Sequence, residues 1–143
     1  MNEVSIEIAA PAGTVWRELT DVERWPEWTA SVSKVDKLDD GDLAPGHRVR
    51  LDQPKMPTMV WTVGSLHPGR GFAWSTKAGG VTTEASHELS SEPEGGVVVT
   101  LAVRQRGLLA PVIRLLTRRR TQRYIEMEAN GLKEVSEARS RRR

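Results

Sequence analysis

Apolar and polar residues alternate along most of the first 106 positions. Val4, Ile6 and Ile8 stand against Glu3, Ser5 and Glu7, the period-two pattern of a strand with one wet face. The same pattern returns in Val49, Leu51 and Gln53 against Arg48, Arg50 and Asp52, in Met59, Trp61 and Val63 against Thr58, Val60 and Thr62, and in Phe72, Trp74 and Thr76 against Ala73, Ser75 and Lys77. Residues 32–38 favour another strand, though their alternation is ambiguous. Two longer runs follow. Val81, Thr83, Ala85, His87 and Leu89 oppose Thr82, Glu84, Ser86 and Glu88, so the charged set faces water and His87 faces inward. Val97, Val99, Leu101, Val103 and Gln105 oppose Arg104 and Arg106, which puts Gln105 on the inward face too. Turn signals separate these runs: Asp39 to Asp42, Pro45-Gly46, His67 to Gly71, Gly79-Gly80 and Glu92 to Gly96.

Two stretches are helical in period. After strand one, Pro11 suits a first helical position, and Ala12, Val15, Trp16 and Leu19 share one face. Asp21 caps a further turn that Pro26 interrupts, making a compact elbow of Trp25-Pro-Glu-Trp28. The long pattern from Leu108 to Arg139 predicts a helix about 48 Å in length. Projected at 100° per residue, it gathers Leu109, Ile113, Leu116, Tyr124, Met127 and Val135 in one arc, with Arg120 near the centre and Gly131 toward the C-terminal end. A glycine there costs about 1 kcal/mol relative to alanine, so it implies a close approach, expected of the helix to the sheet.

These elements predict an α+β fold: a seven-stranded curved antiparallel sheet around a long C-terminal helix, with two short helices between strands one and two. A chain of 143 residues, 38% hydrophobic, makes one domain over residues 1–143, with residues 140–143 as a frayed basic tail. No apolar run approaches the roughly 18 residues of a membrane span, and the N-terminus lacks the pattern of a signal peptide, so a cytoplasmic location is expected. The absence of cysteine excludes disulfides, thiolate nucleophiles and cysteine-based zinc sites.

Charge adds an asymmetry. The net charge is +2, but residues 108–143 carry ten Lys/Arg against four Asp/Glu. Arg114, Arg118, Arg119, Arg120 and Arg123 spread around more than half of the helix, and no aromatic residue interleaves Arg118 to Arg120, which disfavours nucleic acid. Transient contact of Leu108 to Arg123 with an acidic membrane is the alternative partner reading. His47, His67 and His87 lie in different elements, and no dinucleotide or phosphate-binding glycine motif is present, so neither a metal nor a cofactor is expected.

The element order, together with Ala10-Pro-Ala-Gly-Thr-Val-Trp16 near the start, the Asp21 to Trp28 elbow, Pro45-Gly46, Val60-Trp-Thr-Val63, Pro68 to Trp74, His87 and Glu128 to Lys133, resembles the START-like helix-grip superfamily, and within it the bacterial polyketide cyclase/dehydrase branch. The resemblance implies a deep, mainly apolar cavity between the concave sheet and the long helix, its mouth near the elbow and the start of that helix. Against that expectation, Trp28, Trp61 and Trp74 are candidate cavity walls, filled out by Met59, Phe72 and Tyr124, with Thr76 and Gln105 as polar handles. Trp16 is assigned to the core. His87 is read as a ligand contact, as an acid/base, or as an imidazole satisfied within the sheet. Arg120 needs a partner, either an anionic ligand group or an inward carboxylate such as Glu128, unless the helix lets it reach water. The function expected is binding of a small apolar, aromatic or polyketide/lipid-like molecule. The alternatives are a polyketide aromatase/cyclase or dehydratase with His87 as acid/base, and a protein-interaction module.

Overall fold

The computed structural model describes residues 1–142. Seven strands form one antiparallel sheet: β1 (Asn2–Ile8), β2 (Lys34–Lys37), β3 (Arg48–Asp52), β4 (Met59–His67), β5 (Gly71–Ala78), β6 (Val81–Ser91) and β7 (Val97–Arg106). Their order is β1-β7-β6-β5-β4-β3-β2, so every neighbour is a sequence neighbour except β1, which pairs with β7. A register shift between Val63 and Ser65 interrupts the β4–β5 ladder, and such a bulge sharpens the bend of the sheet. Helix α1 (Ala12–Thr20) and a 3₁₀ turn, α2 (Val22–Glu27), run from the β1 edge to the β2 edge. Pro11 precedes α1 as its cap and does not begin it.

The long helix, α3 (Ala110–Arg141), lies across the concave face. It starts two residues later than the periodicity predicts. It also continues through Ser140 and Arg141, part of the stretch expected to fray, while Arg143 lies outside the described residues. Along β1 it closes the open sheet edge: Lys133 Nζ donates to Glu7 O at 2.9 Å, Gln122 Nε2 to Glu3 O at 3.2 Å, and Ala9 N to Glu137 Oε2 at 2.8 Å. Edge backbone groups that would otherwise be free to pair with another chain are thereby covered.

The inward face of α3 departs from the projected arc. Its buried residues are Ala110, Ile125, Ala129, Gly131, Leu132 and Ser136, whereas Leu109 and Leu116 are 52% and 74% exposed. The helix is turned by close to one residue position toward smaller and more polar side chains. The physical reason is that its first half covers a hollow, which large apolar groups on α3 would fill. Gly131 sits at a close approach as expected, but to the elbow. A Cβ built there would overlap the Trp28 carbonyl oxygen and stand 2.9 Å from its carbonyl carbon.

Candidate functional site

Between the sheet and the first half of α3 is a cavity of about 380 Å³. Its exposed lining residues, Pro57, Ala78 and Gly79, belong to the β3–β4 loop and the β5–β6 hairpin, which place the mouth at that end beside the start of α3. The inner wall is aromatic. Trp25, Trp61 and Trp74 all line the cavity and are all buried, with Trp74 5.4 Å from Trp25 and 6.0 Å from Trp61 between ring centres. Trp25 is held by its indole N–H, which donates to Leu19 O at 3.0 Å, while the Trp61 N–H is buried without a partner among the described residues.

Of the residues singled out in the sequence, Met59, Trp61, Trp74, Thr76, His87, Gln105, Arg120 and Tyr124 line this cavity. The period-two reading carried the six strand residues there. Trp28 and Phe72 do not line it. Trp28 is drawn under Gly131 and against Trp25 at 5.6 Å, and Phe72 stacks on His87 at 4.3 Å, behind the wall it was expected to form. Trp16 is half-buried and meets Phe72 edge-on at 6.4 Å. The elbow therefore forms part of the inner wall through Trp25 and takes no part in the mouth.

His87 is 3% exposed, and its Nδ1 lies 3.3 Å from Phe72 O. A carbonyl only accepts, so this contact puts the imidazole proton on Nδ1 and the lone pair on Nε2. Burial holds its pKa down at about 4, against the smaller raising effect of the Phe72 carbonyl, so the ring is neutral at pH 7. Glu128 shows the opposite shift. Its carboxyl lines the cavity, half-buried, with no hydrogen-bond or ion-pair partner among the described residues, and burial pushes its pKa up to about 8.

The Arg120–Glu128 pairing considered from the sequence does not form. Two turns of helix, about 12 Å of rise, separate the residues. Arg120 instead donates from Nη1 to Lys55 O at 3.2 Å, and the Tyr124 hydroxyl donates to Pro54 O. Together they tie the β3–β4 loop to α3 across the mouth. Sequence reasoning left Trp25 without a role, named Glu128 only as a partner for Arg120, and missed Thr117, Thr121 and Ile125 in the lining. The three on α3 were lost through the phase of the helix. A wheel weighted toward small and hydroxyl side chains, rather than leucines, would have found the two threonines.

A curved antiparallel sheet gripping a long helix over an aromatic cavity defines the helix-grip class. The comparisons place the chain within it. The family described as polyketide cyclase / dehydrase and lipid transport matches residues 2–137, and the chain belongs to it. No curated protein matches in sequence. Among solved structures, the chain superposes on a hypothetical protein from Helicobacter pylori with a TM-score of 0.78 at 14% identity, covering 94% of this chain and 85% of that one. A protein from Thermus thermophilus gives 0.72 at 21% identity, with 97% and 98% covered. The Zhui aromatase/cyclase from Streptomyces sp. R1128 gives 0.70 at 21% identity, with 96% and 93% covered. At such identities the likeness is one of fold.

Proposed function

We propose that this protein binds a small, mainly apolar molecule of aromatic or polyketide/lipid-like character inside the cavity. The observation that carries the reading is the hollow itself: about 380 Å³, walled by three indoles, with a mainly apolar lining surface. That volume falls in the range of small-molecule sites, and an empty apolar hollow of this size is a poor way to build a core. Thr76 is already committed, its hydroxyl donating to Val60 O at 2.8 Å, so Glu128 and His87 are the better anchors for a ligand oxygen. The test is a fluorescence titration with aromatic and acyl-chain compounds, reading the wall tryptophans, in the native chain and in Ala85→Phe, which fills the hollow from β6. Quenching that saturates in the native chain and disappears in the filled variant is expected. No response to any compound, or an equal response in both proteins, overturns the reading.

One observation favours an enzyme as the second reading. Two groups lining the same cavity have pKa values pushed in opposite directions, His87 to about 4 and Glu128 to about 8. At pH 7 that leaves a neutral carboxylic acid able to give a proton and a neutral imidazole able to accept one, the division of labour an enolisation and dehydration of a poly-keto substrate requires. Turnover of a poly-keto mimic, lost in Glu128→Gln and in His87→Gln, is the expected result for that reading. Turnover unchanged in both variants sinks it. A protein-interaction module would present an exposed apolar patch and no internal cavity, so the cavity weighs against that reading.

A further inference from the structure

Leu109 and Leu116, which the helix projection sent inward, lie with three more large apolar residues on the outside. Leu108, Leu109, Val112, Leu115 and Leu116 are 98%, 52%, 54%, 70% and 74% exposed, and they cluster on the outer side of the junction into α3 and its first two turns. Single exposed leucines are ordinary, but five large apolar residues together on one projecting tip are not. Charge surrounds this tip. Residues 104–123 contain seven arginines and no Asp or Glu. Among the described residues, no salt bridge neutralises Arg114, Arg118, Arg119 or Arg123.

Position relates the tip to the cavity. Gly107, just before Leu108, lies against the β5–β6 turn so closely that a Cβ there would collide with the Gly80 carbonyl oxygen. The leucine tip and the mouth therefore share one end of the molecule, and Ile113 and Thr117 line the cavity from the same two turns whose other side carries Leu115 and Leu116.

We infer that this end docks on an anionic lipid bilayer, with Leu108, Leu109, Val112, Leu115 and Leu116 entering the acyl boundary and Arg114, Arg118, Arg119 and Arg123 reaching the lipid phosphates. The spacing suits that arrangement. With the tip entering end-on, the rise of about 5–12 Å along the helix from Leu115 and Leu116 to Arg119 and Arg123 sets the guanidinium groups that far above the leucines, toward the phosphates. The long arginine side chains keep their guanidinium groups at the phosphate level while their stems cover the helix. A second copy of this chain is a worse occupant, because a two-fold interface on this tip would set the unneutralised arginines of both copies against one another. Docking in this pose turns the cavity mouth toward the bilayer. The docking surface stands whatever the cavity holds.

The absence of cysteine makes the test clean. Leu115→Cys, labelled with an environment-sensitive dye, is mixed with vesicles of phosphatidylcholine alone or with about 30% phosphatidylglycerol added as the anionic lipid. Ser91→Cys, at the far end of β6, is the control. The expected result is a blue shift for Leu115→Cys with anionic vesicles only, no shift for Ser91→Cys, and weakening by added salt. Flotation of the native chain with the same vesicles is expected to fall by roughly fivefold per arginine in Arg118→Gln and Arg119→Gln, and to vanish in Leu115→Glu/Leu116→Glu, whose exposed positions leave the fold intact. Absence of a blue shift on anionic vesicles overturns the inference. So does a leucine-dependent dimer in sedimentation that leaves vesicles unbound.

Discussion

Replacing Gly131 with alanine sets local and tertiary physics against each other. In an isolated helix the change is favourable by about 1 kcal/mol, because alanine restricts the unfolded chain. In this protein the new methyl would overlap the carbonyl oxygen of Trp28, lying 2.9 Å from its carbonyl carbon and 3.0 Å from ring atom Cε3. Carbon atoms pack at about 3.5–4.0 Å, so α3 or the elbow must move by close to 1 Å. The obstacle is backbone, held between the buried Trp25 and Thr29, and cannot rotate away. Overpacking of this kind costs about 1–3 kcal/mol, and a rigid obstacle puts it near the upper end. Subtracting the gain in propensity leaves a net loss of about 2 kcal/mol, or a drop of about 6 °C in Tm for a chain of this size. Urea unfolding and a thermal melt read it directly. Gly13→Ala in α1 is the internal control, since a Cβ there meets nothing within 4 Å; it should stabilise by about 0.5–1 kcal/mol. A Tm for Gly131→Ala at or above the native value would refute the account of why α3 carries a glycine.

Two further outcomes follow from buried polar groups. Glu128 has its pKa raised in the folded state, so its contribution to stability is full below about 4.5 and is lost as pH rises to about 8. His87 has its pKa lowered, so its contribution is full above 6.5 and is lost as pH falls to about 4. The two slopes oppose each other between about 4.5 and 6.5, leaving a net loss of up to about 2 kcal/mol between pH 6.5 and 8. Urea titrations should show this loss in the native chain and its absence in Glu128→Gln; identical profiles above pH 6.5 would rule it out. Ser136 is fully buried, and its hydroxyl has no partner among the described residues, so Ser136→Ala should gain about 1 kcal/mol in stability, visible as a higher urea midpoint. A lower midpoint would mean that the hydroxyl is satisfied after all.

The amino-acid sequence determined the strands, their turns and the inward face of each, because side-chain direction in a strand alternates strictly and the charged positions in β6 and β7 leave a single choice. Alternation alone therefore assigns His87 and Gln105 to the face that bounds the cavity. Helix phase is a different matter. Around α3 an apolar arc marks whatever meets something apolar, and within one projected arc Ile113 and Tyr124 line the cavity while Leu109 and Leu116 are largely exposed. Tertiary structure alone decided that the helix presents Thr117 and Thr121 to the hollow, short side chains that leave it open. It also decided the fate of the aromatics. Trp25, Trp28 and Phe72 look alike as apolar rings in the sequence, and only the way the folded chain seats them, the Trp28 carbonyl against Gly131 and Phe72 behind His87, separates the ring that lines the cavity from the two that lie outside its lining. Periodicity reports direction relative to the local backbone; what occupies the space in that direction depends on residues distant in the chain.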